Sequence, residues 1–386
     1  MINLNSENHL KPTIIGGGIG GLTMANALQN AGIDFELYEQ APELTEVGAG
    51  IGLSNGTLKL LDMLDLGDEI RAESVLIKHL YVADKQLNIR RKLPTDSPGV
   101  CIHRAVLIDI LKSRLPLGKI HLSKKVSDVS SQPDHTVVQF DDGQSITSPL
   151  IIAADGIHST VRKSIFPDVN IRYINQTIWR GITTIENPGI LKDAYIEVWD
   201  EGLRFLTIPY NSKEMFWLAV KPVPPGLQDK PDEIKNELLD LFQNFHPTFK
   251  YLIRQSGNII RNDMNDLGSP DRPWHHNRIV FIGDSIHATT PNLAQGGCQA
   301  IEDAVCLSLC LKENPSNPVQ AFQKFQELRQ KKVNFIVNNS WKFGVAAHSR
   351  NPIKHYLFRA LLEYSPAYFL ERQEKYLNNI DYLRKI

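Results

Sequence analysis

Cysteine is scarce in this chain of 386 residues, which has four: Cys101, Cys298, Cys306 and Cys310. None of them forms a Cys-x-x-Cys pair, which argues against a zinc ribbon and against a redox disulfide motif. We therefore predict no metal site and expect Cys306 and Cys310, which lie four residues apart in a predicted helix, to pack as small apolar groups. Free thiols suit a reducing compartment, so we expect a cytoplasmic protein.

Long apolar runs and an excess of one charge are also missing. No stretch approaches the roughly 18 consecutive apolar residues that predict a transmembrane segment. Residues 1–8 have neither a basic start nor an apolar stretch, so we expect no secretory signal there. The 42 Lys and Arg residues balance 43 Asp and Glu residues, which argues against a nucleic-acid partner.

The remaining composition is typical of a folded globular protein. Apolar residues make up 42% of the chain and charged residues 22%, which argues against disorder. With about 150 residues per domain, the length predicts two or three domains, or one large α/β core with an insertion.

A glycine-rich turn follows the first predicted strand. Residues 13–16 are apolar and partly β-branched, which favours a buried strand. Apolar residues then recur at helical spacing up to Gly32, and a second strand covers residues 35–38 before Glu39. The turn has the Gly-x-Gly-x-x-Gly pattern and comprises Gly16, Gly18, Ile19, Gly20 and Gly21.

The order strand, glycine turn, helix, strand and acid predicts a dinucleotide-binding site. Gly16 permits a tight turn, Gly18 lets a pyrophosphate approach the backbone, and Gly21 lets the helix pack close to the strand. The helix N-terminus offers free amide donors to the phosphates. Glu39 lies 18 residues after Gly21, where its carboxylate can accept hydrogen bonds from a ribose hydroxyl. The alternative is a glycine-rich turn without a ligand.

Two later segments repeat the step from a strand to a turn. Residues 151–154 form an apolar strand that ends at Asp155 and Gly156, before the start of a helix. Residues 278–283 form another apolar strand, which ends at Asp284. These segments decide which dinucleotide the chain is expected to bind.

Together these motifs resemble the class A flavoprotein monooxygenases, which are single-component FAD-dependent aromatic hydroxylases. The branch that they resemble contains salicylate hydroxylase, FAD-dependent urate hydroxylase and zeaxanthin epoxidase. The likeness extends over most of residues 12–345 and includes His103 and Arg104 at a predicted helix start. The stretch Val47–Ile51, which contains Gly50, matches the family's second flavin-contacting segment.

The resemblance implies an α/β fold with a Rossmann-like FAD-binding domain, an inserted antiparallel-sheet substrate domain and a C-terminal helical segment. The expected ranges are residues 1–75, 100–170 and 271–345 for the discontinuous FAD-binding domain, residues 76–99 and 171–270 for the substrate domain, and residues 346–386 for the C-terminal segment. That last segment mixes aromatic and basic residues. It is expected to form a packed helix or, alternatively, a helix that binds a partner or a membrane surface.

Several residues acquire expected contacts with FAD from the resemblance. Asp284 follows a buried strand, where its carboxylate can bind the hydroxyls of the ribityl chain. Pro291, Gly296 and Gly297 belong to a loop of small residues, so a flat ring can lie close to its backbone. The helix after this loop would stabilise negative charge on the reduced ring. Arg104 can reach the flavin or its phosphates, or form a salt bridge at its helix start.

Three further side chains have two interpretations each. Asp155 and Gly156 match the family's Asp-Gly motif, which helps to bind FAD and NAD(P)H, although Asp155 can instead cap the next helix. Arg162 is either a cofactor contact or a surface charge. His287 is a candidate acid or base, and its alternative is a packing role beneath the flavin loop.

Residues 171–270 contain β-branched and aromatic runs separated by turns, which predicts an antiparallel sheet. In the family such a sheet covers the flavin and forms the substrate pocket. Arg204 matches an arginine that urate hydroxylases use on their substrate, and its alternative is a surface salt bridge. The tyrosine on their next strand is Phe216 here, which puts urate in doubt. Trp179 and Phe216 are pocket candidates, although only about half of the residues in a strand face one side.

The resemblance implies an NAD(P)H-dependent FAD monooxygenase. Such an enzyme inserts one oxygen atom of O₂ into an aromatic or heteroaromatic small molecule by way of a flavin C4a-hydroperoxide. Arg204, His287 and Pro291 are the catalytic candidates. The alternatives are a flavin-dependent reductase or dehydrogenase of the same fold, and a non-catalytic FAD-binding regulatory protein. The expected partners are the aromatic substrate and O₂, with homo-oligomerisation left open.

Overall fold

The computed structural model describes residues 10–45, 50–94, 99–187, 189–200, 202–349 and 351–386. Val47–Ala49, part of the predicted second flavin-contacting stretch, lies outside the described residues. A largely parallel six-stranded sheet and a largely antiparallel seven-stranded sheet dominate the architecture. The predicted α/β fold class is therefore confirmed.

The strands and helices occur in the following positions. The strands are β1 (Thr13–Ile15), β2 (Glu36–Tyr38), β3 (Gly50–Leu53), β4 (Val75–Leu76), β5 (His79–Ala83), β6 (Ile89–Leu93), β7 (Val100–His103), β8 (Ile120–His121), β9 (Val126–Ser131), β10 (Thr136–Phe140), β11 (Ser145–Ser148), β12 (Ile151–Ala153), β13 (Arg172–Thr184), β14 (Ala194–Asp200), β15 (Leu203–Pro209), β16 (Glu214–Lys221), β17 (Ile259–Asp266), β18 (His275–His276) and β19 (Ile279–Phe281). The helices are α1 (Ile19–Asn30), α2 (Asn55–Asp62), α3 (Gly67–Ala72), α4 (Arg104–Ser113), α5 (Thr160–Ile165), α6 (Ile234–Leu241), α7 (Pro247–Gln255), α8 (Asp284–His287), α9 (Gly296–Glu313), α10 (Pro318–Ala347), α11 (Pro352–Tyr364) and α12 (Ala367–Asn378).

The six-stranded sheet has the strand order β18-β19-β12-β1-β2-β8. Its neighbours are parallel except for the antiparallel pair β18–β19. The central strands carry fully buried apolar residues such as Ile14, Ile152 and Val280, as expected for a parallel sheet that is covered on both faces. Because β1, β12 and β19 are parallel neighbours, their carboxyl ends lie side by side at one edge.

Helix α1 connects β1 to β2, and helix α9 crosses close beside it. A Cβ added to Gly20 of α1 would lie 3.3 Å from the Cβ of Ala300 on α9. This close approach brings the N-termini of both helices to the edge where the three strands end.

The seven-stranded sheet has the order β17-β13-β16-β15-β14-β5-β6. Its neighbours are antiparallel except for the parallel pair β14–β5. One face packs on α6 and α7 through a buried aromatic cluster that includes Phe205, Trp217, Phe242 and Phe249. Residues on the other face line the same cavity as the glycine turn.

Helices α11 and α12 and the short tail after them pack on the body of the protein at the end of the chain. The tail after α12 is anchored, because the Tyr382 hydroxyl donates to Glu302 of α9 at 3.0 Å and Lys332 of α10 donates to the Asn379 carbonyl at 3.1 Å. Helix α11 leaves large apolar side chains such as Ile353 exposed. Among the described residues, no helix combines the length and the hydropathy that a bilayer crossing requires.

All four cysteines are free and buried. Burial raises the pKa of the Cys101 thiol to about 12, so this side chain stays protonated and unreactive at neutral pH. The prediction that Cys306 and Cys310 pack as small apolar groups is confirmed, because both belong to the buried core.

The sheets divide along the chain in a way that parallels the predicted domains. Every strand of the seven-stranded sheet falls within residues 76–99 or 171–270. Strand β4 reaches across the boundary at residue 75 and pairs with β7. The domain boundaries themselves stay a prediction.

Candidate active site

A cavity of 1190 Å³ lies between the carboxyl edge of the six-stranded sheet and the open face of the seven-stranded sheet. The three strand-end loops meet here. The predicted site residues in its wall are Gly18, Ile19, Gly20, Gly50, Arg104, Gly156, Arg204, Phe216, Asp284, Pro291, Gly296 and Gly297. The predicted site residues outside its wall are Gly16, Gly21, Glu39, Asp155, Trp179 and His287.

Gly16 and Gly21 shape the turn from behind the cavity wall. Gly16 has φ +107°, and a Cβ there would lie 2.7 Å from the carbonyl carbon of Ala154. A Cβ on Gly21 would overlap the carbonyl oxygen of Gly16. Both positions therefore require glycine, and the turn passes tightly between β1 and β12.

Helix α1 begins at the cavity wall. Gly18 precedes its first residue with an extended backbone, and no described side chain caps the helix. The first amides of the helix therefore keep their donors, and this end carries a partial positive charge. A pyrophosphate binds to such an arrangement.

Glu39 holds the next loop against the glycine turn. Its carboxylate accepts hydrogen bonds from the amides of Gly17 at 2.5 Å and Ala41 at 2.8 Å. These bonds fix the end of β2 beside the glycine turn. A contact between Glu39 and a ribose stays a prediction.

Asp155 caps the helix that follows it. Its Oδ2 accepts a hydrogen bond from the Val161 amide at 3.2 Å, which is the capping alternative for this residue. Burial raises the pKa of Asp155, while hydrogen bonds from Ser159 and from nearby amides oppose the rise. Gly156, with φ +74°, lines the cavity and carries the loop along its wall.

Arg162 is buried outside the cavity wall, so the surface-charge interpretation is wrong, and its role as a cofactor contact stays a prediction. Its side chain is buried, and its two terminal nitrogens each donate at 2.6 Å, to the carbonyls of Ser285 and Ile157. It joins the Asp155 loop to the Asp284 loop. The residue pattern carried no signal for this contact, because the partners are backbone carbonyls.

Asp284 presents its carboxylate to the cavity from the start of α8. The surrounding protein desolvates it and raises the pKa of Asp284, while the charges of His287 and Arg104 act in the opposite direction. Arg104 also lines the cavity, from the first residue of α4. A carboxylate and a guanidinium thus face one space, which suits hydroxyls and phosphates.

His287 packs behind the loop that carries Asp284, beside Asp303 of α9. Its Nε2 lies 2.5 Å from Oδ2 of Asp303, and both side chains are buried. Its ring packs on Trp274 with centroids 4.9 Å apart. Because His287 lies outside the cavity wall, its position favours the packing alternative over a catalytic role.

Glu302, Asp303, Arg329 and Lys332 form a buried charged cluster between α9 and α10. Arg329 lies 2.7 Å from Glu302 and 2.9 Å from Asp303, and Lys332 lies 2.9 Å from Glu302. Asp303 also accepts the Gly283 amide at 2.9 Å. The cluster therefore supports the loop that carries Asp284. The sequence analysis did not single out this cluster, although the adjacent acids Glu302 and Asp303 in a largely apolar helix were a signal that could have indicated it.

Side-chain alternation decides which strand candidates reach the cavity. Arg204 on β15 and Phe216 on β16 line it, and their contact with a substrate stays a prediction. Trp179 on β13 lies on the opposite face, where its Nε1 donates to Asp229 at 2.7 Å. The prediction that Trp179 lines the pocket is therefore wrong.

Arg204 is buried in the cavity wall, so the surface salt-bridge interpretation is wrong. Its Nε lies 2.7 Å from Oε1 of Glu197, and its Nη1 donates to Asn292 at 3.1 Å. Glu197 also accepts a hydrogen bond from the Tyr195 hydroxyl at 2.8 Å. Burial opposes the charge, but Glu197 and Tyr195 outweigh it and raise the pKa of Arg204. Glu197 and Tyr195 are wall residues that the sequence did not single out.

The fold and the cavity together define a class of protein. A glycine turn at a helix N-terminus and an apolar sheet face line the same cavity. This arrangement is typical of a protein that positions a substrate beside a dinucleotide cofactor. Residues 10–316 match the family model described as the FAD binding domain. The chain belongs to this family and, with its relatives, to the FAD-dependent monooxygenases, which confirms the resemblance.

Several known proteins are similar over most of their length. The aurachin C monooxygenase/isomerase of Stigmatella aurantiaca is 34% identical over 86% of this chain and 88% of the relative. The 2-heptyl-3-hydroxy-4(1H)-quinolone synthase of Pseudomonas aeruginosa is 29% identical over 92% of this chain and 94% of the relative. The structure of Klebsiella pneumoniae HpxO with FAD and uric acid matches with a TM-score of 0.89 at 25% identity, over 97% of this chain and 98% of that chain.

Proposed function

We propose that this FAD-dependent monooxygenase takes electrons from NAD(P)H and inserts one oxygen atom of O₂ into an aromatic or heteroaromatic small molecule. The observation that carries the proposal is the single wall shared by the glycine turn, the Asp284 loop and the open sheet face. A cofactor and a ring substrate can meet in this cavity with little water between them. Relatives named for a quinolone and for uric acid support a ring substrate.

The cavity residues fit FAD. The amides at the start of α1 suit its pyrophosphate, and Asp284 suits the hydroxyls of its ribityl chain. Arg104 suits a phosphate or the flavin ring. Gly297 has no side chain, and a Cβ added there would lie only 2.6 Å from Cδ1 of Ile51. When bound, FAD supplies the electron transfer and the activation of oxygen.

The chain's own part in the reaction is to position the ring and to exclude water. Phe216 and Leu206 present apolar surface to the cavity, and Pro291 begins the loop on the facing wall. Helix α9 starts at Gly296, and no described side chain caps it. Its N-terminus therefore favours negative charge beside this loop. We propose that Pro291 shields the reacting atoms and that Arg204 orients the substrate.

NAD(P)H is proposed to visit the flavin transiently. The sequence contains one Gly-x-Gly-x-x-Gly fingerprint, whereas a resident nicotinamide cofactor would call for a second nucleotide fold. The same loop that carries Asp155 and Gly156 is the proposed contact for NAD(P)H.

Oxygen insertion is tested with ¹⁸O₂. A panel of phenols, hydroxybenzoates and quinolones is screened for compounds that accelerate NAD(P)H oxidation by the FAD-loaded protein. The product of an active compound is expected to carry one labelled oxygen atom, measured by mass spectrometry. Turnover that proceeds equally well without O₂ would instead identify a reductase or dehydrogenase. FAD binding with no turnover on any compound would favour a regulatory protein.

The proposed role of Arg204 predicts a gain of affinity in Glu197→Gln. Removing the acid leaves the buried guanidinium of Arg204 without its ionic partner, so the guanidinium can pair with an anionic ligand instead. The dissociation constant of salicylate and similar anionic rings should therefore fall about tenfold, which corresponds to one charge-assisted hydrogen bond. The measurement is titration of the bound-flavin absorbance. Glu237→Gln is the matched control, because Glu237 is exposed on α6 and lies outside the cavity wall, and it should show no gain. Unchanged affinity in Glu197→Gln would argue that Arg204 does not face the substrate.

A further inference from the structure

The cavity extends beyond the flavin loops along the seven-stranded sheet. Asn292, in the Pro291 loop, accepts a hydrogen bond from Arg204 on β15. The end of the cavity nearest to the Pro291 loop therefore lies at β15. The wall continues across β14 to Leu80 on β5 and Leu93 on β6. Neighbouring strands lie about 4.8 Å apart, so β6, three strands from β15, lies roughly 14 Å away.

Apolar side chains dominate this extension. On the sheet side they are Leu80, Val82 and Leu93, and on the helix side Leu361, Leu362, Phe369 and Leu370. Gln373 and Glu374 on α12 add a polar rim. Without an apolar ligand, these side chains would be exposed to water, and the hydration of apolar surface is unfavourable in free energy.

Helices α11 and α12 form the outer wall of the extension. Arg91 on β6 donates to the Leu362 carbonyl at 2.8 Å and to the Ser365 hydroxyl at 3.0 Å, which ties the end of α11 to the edge of the sheet. Leu361 and Phe369 belong to the wall, yet 63% and 62% of their surfaces are exposed. The extension therefore opens to the protein surface between these helices.

We propose that the substrate is an aromatic or heteroaromatic ring that carries a linear aliphatic chain, with the ring at β15 and β16 and the chain in the extension toward β5 and β6. The proposal rests on the proposed function of the cavity and adds the chemical class of its substrate. A ring of one or two cycles fills only the end near Arg204. A chain attached to it displaces water from the remaining apolar wall, and each buried methylene adds to the affinity.

The first test measures binding of 4(1H)-quinolone and its 2-propyl and 2-heptyl derivatives, with phenol and 4-heptylphenol as a second ring series. The FAD-loaded protein is titrated by isothermal calorimetry, without NAD(P)H. We expect the dissociation constant to fall about fourfold for each methylene added, as full burial predicts. Equal affinities along both series, or no binding by any long-chain member, would overturn the proposal.

The second test narrows the extension. Leu80→Trp should weaken binding of the heptyl quinolone at least tenfold, while binding of the chainless quinolone changes less than twofold. Tyr81→Trp is the matched control, because Tyr81 is the next residue of β5 and packs with the aromatic cluster on the opposite face. It should leave both affinities unchanged. Equal losses for both ligands in Leu80→Trp would contradict a separate chain site.

Both tests read binding and not turnover, so they separate this proposal from the proposed oxygen insertion. Chain-dependent binding without ¹⁸O incorporation would retain the substrate class and reject the reaction. Labelled product from short-chain rings, with no chain dependence of binding, would retain the reaction and reject the substrate class.

Discussion

Gly21→Ala is expected to reduce FAD retention to less than a tenth of the wild-type level. A Cβ at this position overlaps the carbonyl oxygen of Gly16, and neither atom belongs to a flexible side chain. The helix must therefore move away from β1, which displaces the amides that are proposed to hold the pyrophosphate. The measurement is the ratio of flavin to protein absorbance in material that elutes as folded protein from gel filtration, with far-UV circular dichroism as the check on folding.

Gly32→Ala is the control at the other end of α1. Gly32 has φ +75°, and a Cβ there meets no atom within 4 Å. This substitution adds backbone strain of roughly 1–2 kcal/mol without a collision. It should lower stability slightly and leave FAD retention intact. Full FAD retention in folded Gly21→Ala would show that the glycine turn does not hold the cofactor.

Arg329→Met is expected to lower the free energy of unfolding by about 3–5 kcal/mol, the usual cost of removing one partner from a buried ion pair. Arg329 is fully buried and contacts Glu302 and Asp303, which are also fully buried. Its loss leaves Lys332 and His287 to balance both acids. The measurement is urea denaturation followed by circular dichroism in the FAD-free protein.

Lys331→Met is the matched control for this prediction. Lys331 is the exposed neighbour of Lys332 on the same helix, so its substitution should change the free energy of unfolding by less than about 0.5 kcal/mol. A loss in Arg329→Met no larger than in the control would mean that the charged cluster contributes little to stability.

The cofactor end of the molecule could be predicted from the sequence because its signals are local. A strand, a glycine turn and a helix adjoin one another along the chain, and parallel strands bring their carboxyl ends to one edge. The loops at Gly18, Gly156 and Asp284 therefore meet at one cavity. The steric need for glycine at Gly16 and Gly21 follows from the same turn.

The substrate end was harder to predict because both faces of the seven-stranded sheet are buried or half-buried. Strand β13 carries bulky or long side chains on each face, so alternation alone does not say which set faces the cavity. Trp179 falls on the face of the aromatic cluster, and Phe216 on the cavity face. Long-range packing on α6 and α7, which the local pattern does not contain, decides between them.

Buried charges were the other feature that the sequence concealed. His287 pairs with Asp303, and Arg204 pairs with Glu197. In the sequence these residues resemble catalytic groups or surface charges, because a charge gives no sign of its burial until its partner is known. Contacts of Arg162 with backbone carbonyls are equally invisible.

A crystal structure of the protein purified with FAD shows whether the glycine turn, the Asp284 loop and the open sheet face hold one cofactor. We predict that one FAD molecule runs through the cavity, with its pyrophosphate at Gly18 and Ile19, its ribityl chain beside Asp284, and its ring between the Pro291 loop and the face that bears Phe216. FAD bound at another surface, or bound with its ring away from the seven-stranded sheet, would show that these elements do not form the cofactor site.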